Sequence, residues 1–180
     1  MKLRKGSQDA TGLTVGLVAS KFNKFVTSRL LTECVKALSK AGVADDAIEV
    51  VRVPGAFEIP LVARQLARSG RFDAVICLGA VIRGDTPHFE FISAEVSRGI
   101  LQASMESNVP VIFGVLTTDT VAQAIERADP DKLNRGAEAA KTAIEMVNVM
   151  RLLKKDVTGD APPSAAPARR AKGSAARSKR

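Results

Sequence analysis

The stretch Asp73-Ala74-Val75-Ile76-Cys77-Leu78-Gly79-Ala80-Val81-Ile82-Arg83-Gly84-Asp85-Thr86-Pro87-His88-Phe89 carries the pattern on which the fold turns. After Asp73, the five residues Ala74 to Leu78 form an apolar run with no polar alternation, the signature of a strand buried on both faces. From Gly79 onward the glycines read as punctuation of a loop that carries a cation, a hydroxyl and the chain's single histidine. In open α/β sheets, ligands bind just beyond the carboxyl ends of the strands. Imidazole is the side chain that titrates nearest neutral pH, so a histidine placed there can take and give a proton. A lone histidine is often an ordinary loop or core residue. The position of His88 beyond a strand end, beside Gly84 and Thr86, favours function instead.

Outward from this stretch, strand and helix signals alternate. Residues 14–19 read as a first buried strand, followed by helical spacing over 27–41 and a stop at Gly42. A second strand over 48–53 ends at Pro54-Gly55, and a short helix follows over 57–67. After the third strand, 73–78, a helix is expected over 89–106 and a fourth strand over 110–116. Thr118-Asp119 can cap a helix over 120–127, and a long final helix runs from about Asn134 to Leu153. Alternation of this kind with continuous apolar strands implies a parallel sheet covered on both faces. The expected class is a flavodoxin-like three-layer α/β/α sandwich with a four-stranded parallel sheet. Phe22 and Asn23, Pro54 to Glu58, Gly79 to His88 and Thr117 to Asp119 then share one edge of that sheet.

Composition bounds the rest. A chain of 180 residues, 46% apolar, fits one domain plus a tail. The expected division is an N-terminal segment over 1–12, an α/β domain over 13–156 and a disordered basic tail over 157–180. Of the net charge of +8, six positive charges lie within residues 161–180, which contain no acid, leaving +2 for residues 1–160. The tail is Ala/Pro-rich and basic, with no side chain large enough to pack. It could touch nucleic acid weakly through phosphates, but no aromatic interleaves its charges, so a solvated tail is expected. Cys34 and Cys77 fall inside apolar-periodic segments and read as core hydrophobes. No secretory leader pattern opens the chain and no apolar run is long enough to cross a bilayer, so a soluble cytoplasmic protein without a membrane partner is expected.

Several chemistries are disfavoured by missing motifs. There is no Gly-x-x-x-x-Gly-Lys-Ser/Thr, and no Gly-x-Gly-x-x-Gly follows the first strand. No His/Cys/carboxylate cluster has metal-ligand spacing, and no Ser or Cys sits at a glycine-flanked elbow. A polar, phosphate-tolerant pocket with one proton shuttle is what remains.

Val53-Pro54-Gly55-Ala56-Phe57-Glu58-Ile59-Pro60, the run Gly79 to Phe89, Gly114-Val115-Leu116-Thr117-Thr118-Asp119, Gln123-Ala124-Ile125-Glu126-Arg127-Ala128 and Asn134-Arg135-Gly136-Ala137-Glu138-Ala139-Ala140 together resemble the lumazine synthase family. The resemblance is in order and covers about residues 12–154. It implies an enzyme that condenses 5-amino-6-(D-ribitylamino)uracil with 3,4-dihydroxy-2-butanone 4-phosphate to 6,7-dimethyl-8-ribityllumazine, toward riboflavin, with no cofactor and no metal. Carried over by position, Phe22 stacks on the pyrimidine, Ala56, Phe57 and Glu58 line the ribityl pocket, and Ala80, Val81 and Ile82 present backbone groups to the uracil. Asp85, through its backbone, and Thr86 bind the butanone phosphate. Arg127 balances its charge, although spacing alone would make it a solvated helix-end arginine. Phe113 contacts the uracil, and Phe113 and Arg127 come from a neighbouring subunit. His88 shuttles protons, with Arg135 and Glu138 in support.

Two departures from the family pattern stand out. Arg135 replaces a common lysine, and the connection over 128–133 is acidic and lacks the glycine often found before Asn134. The resemblance also implies a homo-oligomer, with riboflavin synthase a candidate partner. Pentamer, decamer and sixty-subunit icosahedral shell stay open. A noncatalytic flavin- or lumazine-binding protein on this scaffold is the alternative, and one that could dispense with His88 and Arg127.

Overall fold

Strand β3 (Ala74–Ile82) has hydrogen-bonded neighbours on both sides and helices over both faces. In the computed structural model, which describes residue 1 and residues 3–159, the chain alternates β1 (Val15–Ser20), α1 (Lys24–Lys40), β2 (Ile48–Val53), α2 (Ile59–Arg68), β3, α3 (His88–Ser107), β4 (Val111–Thr118), α4 (Val121–Ala128) and α5 (Arg135–Gly159). All pairings are parallel, in the order β2-β1-β3-β4. The expected α/β/α sandwich is the observed one.

The period of two along the strands decides which residues meet which helices. Ala74, Ile76, Leu78 and Ala80 of β3 join Val15, Leu17 and Ala19 of β1 in one core with α1, α4 and α5. Val75 and Cys77 join Val18 in a second core with α2 and α3. Each fully buried Leu or Ile in these layers, such as Leu17, Ile76 or Leu78, contributes about 1.5–3 kcal/mol of transfer free energy. Both thiols lie in these cores, and burial pushes Cys34 up to about 12 and Cys77 higher still. They are inert packing groups, as their sequence context suggested.

Three local readings are corrected. The third strand does not end at Leu78: β3 continues to Ile82, with Gly79↔Val115 through Ile82↔Thr118 in register with β4. A Cβ on Gly79 would stand 3.1 Å from Ile59 Cδ1 and 3.3 Å from Ser20 Oγ, close enough that these side chains would have to give. It marks crowding inside a strand, not a turn. Helix α1 starts at Lys24, not Thr27, because Asn23 adopts the left-handed conformation and its carbonyl accepts from Val26 and Thr27 N–H. The cap of α4 is Thr120, whose hydroxyl accepts from Gln123 N–H at 3.2 Å. Thr118 is buried and Asp119 is engaged elsewhere.

At the N-terminal side, Asn148 on α5 donates to the carbonyls of Ser7 (3.1 Å) and Asp9 (2.9 Å), and Ala10 is fully buried. Helix α5 reaches Gly159, and residues 160–180 of the expected basic tail lie outside the described residues. Among the described residues no helix is long and apolar enough to cross a membrane.

Helix α5 packs so closely on α1 that a Cβ on Gly136 would stand 2.4 Å from the Leu30 carbonyl oxygen. Backbone cannot yield as a flexible side chain can. Gly136→Ala is therefore expected to destabilise the fold by about 1–3 kcal/mol in denaturant unfolding, the usual cost of overpacking.

Candidate active site

The strand order turns at β1 and β3, from which the chain leaves toward β2 on one side and β4 on the other. Doubly wound sheets open a crevice at such a point. A cleft of about 620 Å³ lies there, bordered by Phe22 and Asn23 after β1, Gly55 to Glu58 after β2, Ala80 to Ile82 of β3, and Gly84, Thr86, His88, Phe89 and Ile92.

Each wall has a local cause. Pairing of β1 with β2 runs past the strands, since Lys21 N–H donates to the Val53 carbonyl at 2.7 Å and Phe22 N–H to the Pro54 carbonyl at 3.0 Å. This presents Phe22 with 70% of its surface exposed. The left-handed turn at Asn23 aims its side-chain amide at β3, where Nδ2 donates to the Ala80 carbonyl at 3.0 Å. Sequence reading noticed Asn23 but gave it no role; the turn itself left only the weak signal that Asn tolerates positive φ. Across the cleft, Glu58 Oε2 accepts from Gly55 N–H at 2.8 Å, tightening the Pro54–Glu58 turn that leads into α2. Phe57, 58% exposed, stands at the mouth. Large exposed apolar side chains at a cleft mark a ligand or an interface.

His88 is the first residue of α3, exposed at the cleft. Before it, the Gly84–Pro87 loop is exposed throughout. Gly84 and Thr86 line the cleft, whereas Asp85 does not. Phe89 and Ile92 also line it. Sequence reading missed both, since helical spacing does not distinguish a core face from a cleft face.

The remaining expected residues are not brought into this cleft. Phe113, Arg127, Arg135 and Glu138 line a second cleft, of about 550 Å³, between the exposed edge of β4 and helices α4 and α5. The two clefts share no lining residue. Arg127 donates to the Gln123 carbonyl at 3.1 Å and meets no carboxylate among the described residues. Arg135 is paired with Glu138 at 2.5 Å. Charge is therefore segregated: no Lys or Arg lines the first cleft, where Glu58 is the only carboxylate, and two arginines line the second. Among the described residues no group of three His, Cys, Asp or Glu could hold a metal ion.

The 6,7-dimethyl-8-ribityllumazine synthase family model matches residues 12–151. The chain belongs to that family. A 6,7-dimethyl-8-ribityllumazine synthase of Syntrophus aciditrophicus (strain SB) is 58% identical over 147 residues, covering 82% of this chain and 96% of that protein. One of Desulfosudis oleivorans (strain DSM 6200 / JCM 39069 / Hxd3) is 53% identical over 152 residues, covering 84% and 97%. The family resemblance read from the sequence is borne out.

For a lumazine synthase of this geometry, Gly84 separates ligand effects from fold effects. A Cβ there meets nothing within 4 Å. Gly84→Ala is expected to leave the unfolding free energy within about 0.5 kcal/mol of wild type, as surface changes do. If a phosphate-bearing ligand lies against this loop, the added methyl raises its KM, and paired melts and steady-state kinetics read the two effects separately.

Proposed function

We propose that this protein condenses 5-amino-6-(D-ribitylamino)uracil with 3,4-dihydroxy-2-butanone 4-phosphate, releasing phosphate and water, in the riboflavin pathway. Its family membership and the names of its relatives support the reading. The observation that carries the site assignment is the segregation of charge. A cleft with two exposed phenylalanines and a proton carrier, but no cation, suits the flat pyrimidine and its ribityl chain. The phosphate substrate needs a guanidinium that this cleft lacks, and among the described residues Arg127 has no carboxylate partner to compete for it.

In this reading Phe22 stacks on the pyrimidine, Ala56, Phe57 and Glu58 hold the ribityl chain, and the Ala80–Ile82 backbone meets the uracil edge. Asp85, through its backbone, and Thr86 receive the phosphate at the start of α3, where helix N–H groups favour an anion. Phe113 and Arg127 arrive from a neighbouring copy, with Arg135 and Glu138 behind them. The 5-amino nitrogen attacks the ketone and water leaves as the imine forms. A carbon-bound proton and the phosphate are then lost in an elimination, and the ribityl-bearing nitrogen closes the ring with loss of water. His88 carries protons between these steps. Holding two reactants together supplies much of the acceleration. Nothing in the sequence of steps calls for a cofactor.

Lumazine synthases act on small molecules as oligomers. The finer proposal is a pentameric ring, alone or as the unit of a sixty-subunit shell, in the cytoplasm and in contact with riboflavin synthase. The two unpaired thiols fit a reducing compartment. Sedimentation of the purified protein distinguishes the sizes.

Mixing protein with both substrates and following lumazine absorbance and fluorescence tests the reaction; no product overturns it. His88→Ala is expected to slow turnover by about ten- to a thousandfold without abolishing it, the span of general acid–base catalysis. An unchanged rate removes His88 from the mechanism. Arg127→Ala is expected to weaken mainly the phosphate substrate. If the site is shared, exchanging subunits between His88→Ala and Arg127→Ala oligomers restores activity, because some interfaces then join two intact halves. No recovery in verified mixed oligomers places both residues in one subunit's site.

A further inference from the structure

Arg83 is the first residue after β3, and four contacts converge on it. Its backbone N–H donates to the Thr118 carbonyl at 2.9 Å, extending the β3–β4 ladder by one bond. Its Nε donates to Asp119 Oδ1 at 2.7 Å. A terminal guanidinium nitrogen is paired with Glu90 Oε1. The guanidinium carbon stands 4.3 Å from the centroid of the Phe89 ring, within cation–π range. Asp119 directly follows β4, and Phe89 and Glu90 belong to the first turn of α3. One side chain thus ties together the ends of the three elements around the Gly84–Pro87 loop, and Phe89 and His88 both line the cleft.

A cation beside a glycine-bearing loop is a natural candidate for a phosphate ligand. The contacts argue otherwise. Two carboxylates share its one positive charge, so the trio carries net −1, and a phosphate drawn to Arg83 would come up against Asp119 and Glu90. Arg83 does not line the cleft. All three side chains are 43–64% exposed, and exposed ion pairs contribute little to global stability. Their effect is geometric: they fix where the loop leaves β3 and where α3 begins.

We propose that Arg83 is a positioning residue for the phosphate-bearing substrate, latching the Gly84–Thr86 loop and His88 through Asp119, Glu90 and Phe89 without touching either substrate. The proposal rests on the assignment of that loop to the phosphate, so its test uses a binding probe as well as turnover. Calorimetry with inorganic phosphate, on the full-length assembled protein, reads the loop whether or not lumazine is formed. Absence of lumazine formation by wild type would overturn the reaction but not the latch.

Arg83→Gln is expected to weaken inorganic phosphate binding and raise the KM of the butanone phosphate by about ten- to a hundredfold, the scale of small misplacements in a site. The KM of the pyrimidine substrate and the thermal midpoint stay near wild type. Asp119→Asn gives the same signature more mildly, and Arg83→Gln with Asp119→Asn is no worse than Arg83→Gln alone, because contacting residues couple. Arg83→Lys, which keeps the charge but not the fork, restores only part of the loss. Equal loss for both substrates, additive single effects, or unchanged phosphate affinity overturns the proposal. Should Arg83→Gln fail to fold, its role is structural and the proposal falls, unless folded Asp119→Asn and Glu90→Gln both show the phosphate-specific loss.

Discussion

Strand β3 must satisfy two neighbours and two faces at once, and the rest of the molecule is arranged around that demand. Its backbone groups are shared between β1 and β4, and its side chains alternate between two helical layers. Space there is tight, and a Cβ on Gly79 would press on the side chains of Ile59 and Ser20. The same ladder carries order outward to Ile82 and, through the Arg83 N–H, one residue further. The exposed loop that follows is anchored at a point defined by the core.

What the site can do follows from where charge is excluded. The cleft at the turn of the strand order is walled by strand-end backbone, two exposed phenylalanines and one imidazole, and Arg83, a cation between the cleft residues Ile82 and Gly84, is already held by Asp119 and Glu90. The Arg83 hydrogen bond holds the Glu90 carboxyl below its ordinary range. Two other arginines, Arg127 and Arg135, line a different cleft, beside the exposed edge of β4. On the proposed site assignment, that separation gives the fold a physical reason to pair with copies of itself.

Much of this was legible in the chain. Continuous apolar runs at regular spacing gave away a parallel sheet, since only strands covered on both faces dispense with polar alternation. The motifs around Ala56–Glu58 and Gly84–His88 were recognisable in order, and both border one cleft. Boundaries were less legible wherever a residue type has two physical uses. Gly79 served packing rather than turning, Asn23 started a helix by positive φ rather than by a side-chain cap, and Thr120 took the capping role read into Thr118-Asp119.

By itself, then, the sequence determined the layer architecture, the family and the residue types available for chemistry, because hydrophobic period and motif order are local properties of the chain. Only the tertiary structure decided which of those residues meet. That Arg83 is occupied by two carboxylates, one after β4 and one on α3, depends on strand register and helix placement, which no local pattern encodes. The same holds for Phe113, Arg127, Arg135 and Glu138, which the fold gathers at the far side of β4 and away from His88. Strand order sets those separations, and strand order is settled by packing across the whole sheet.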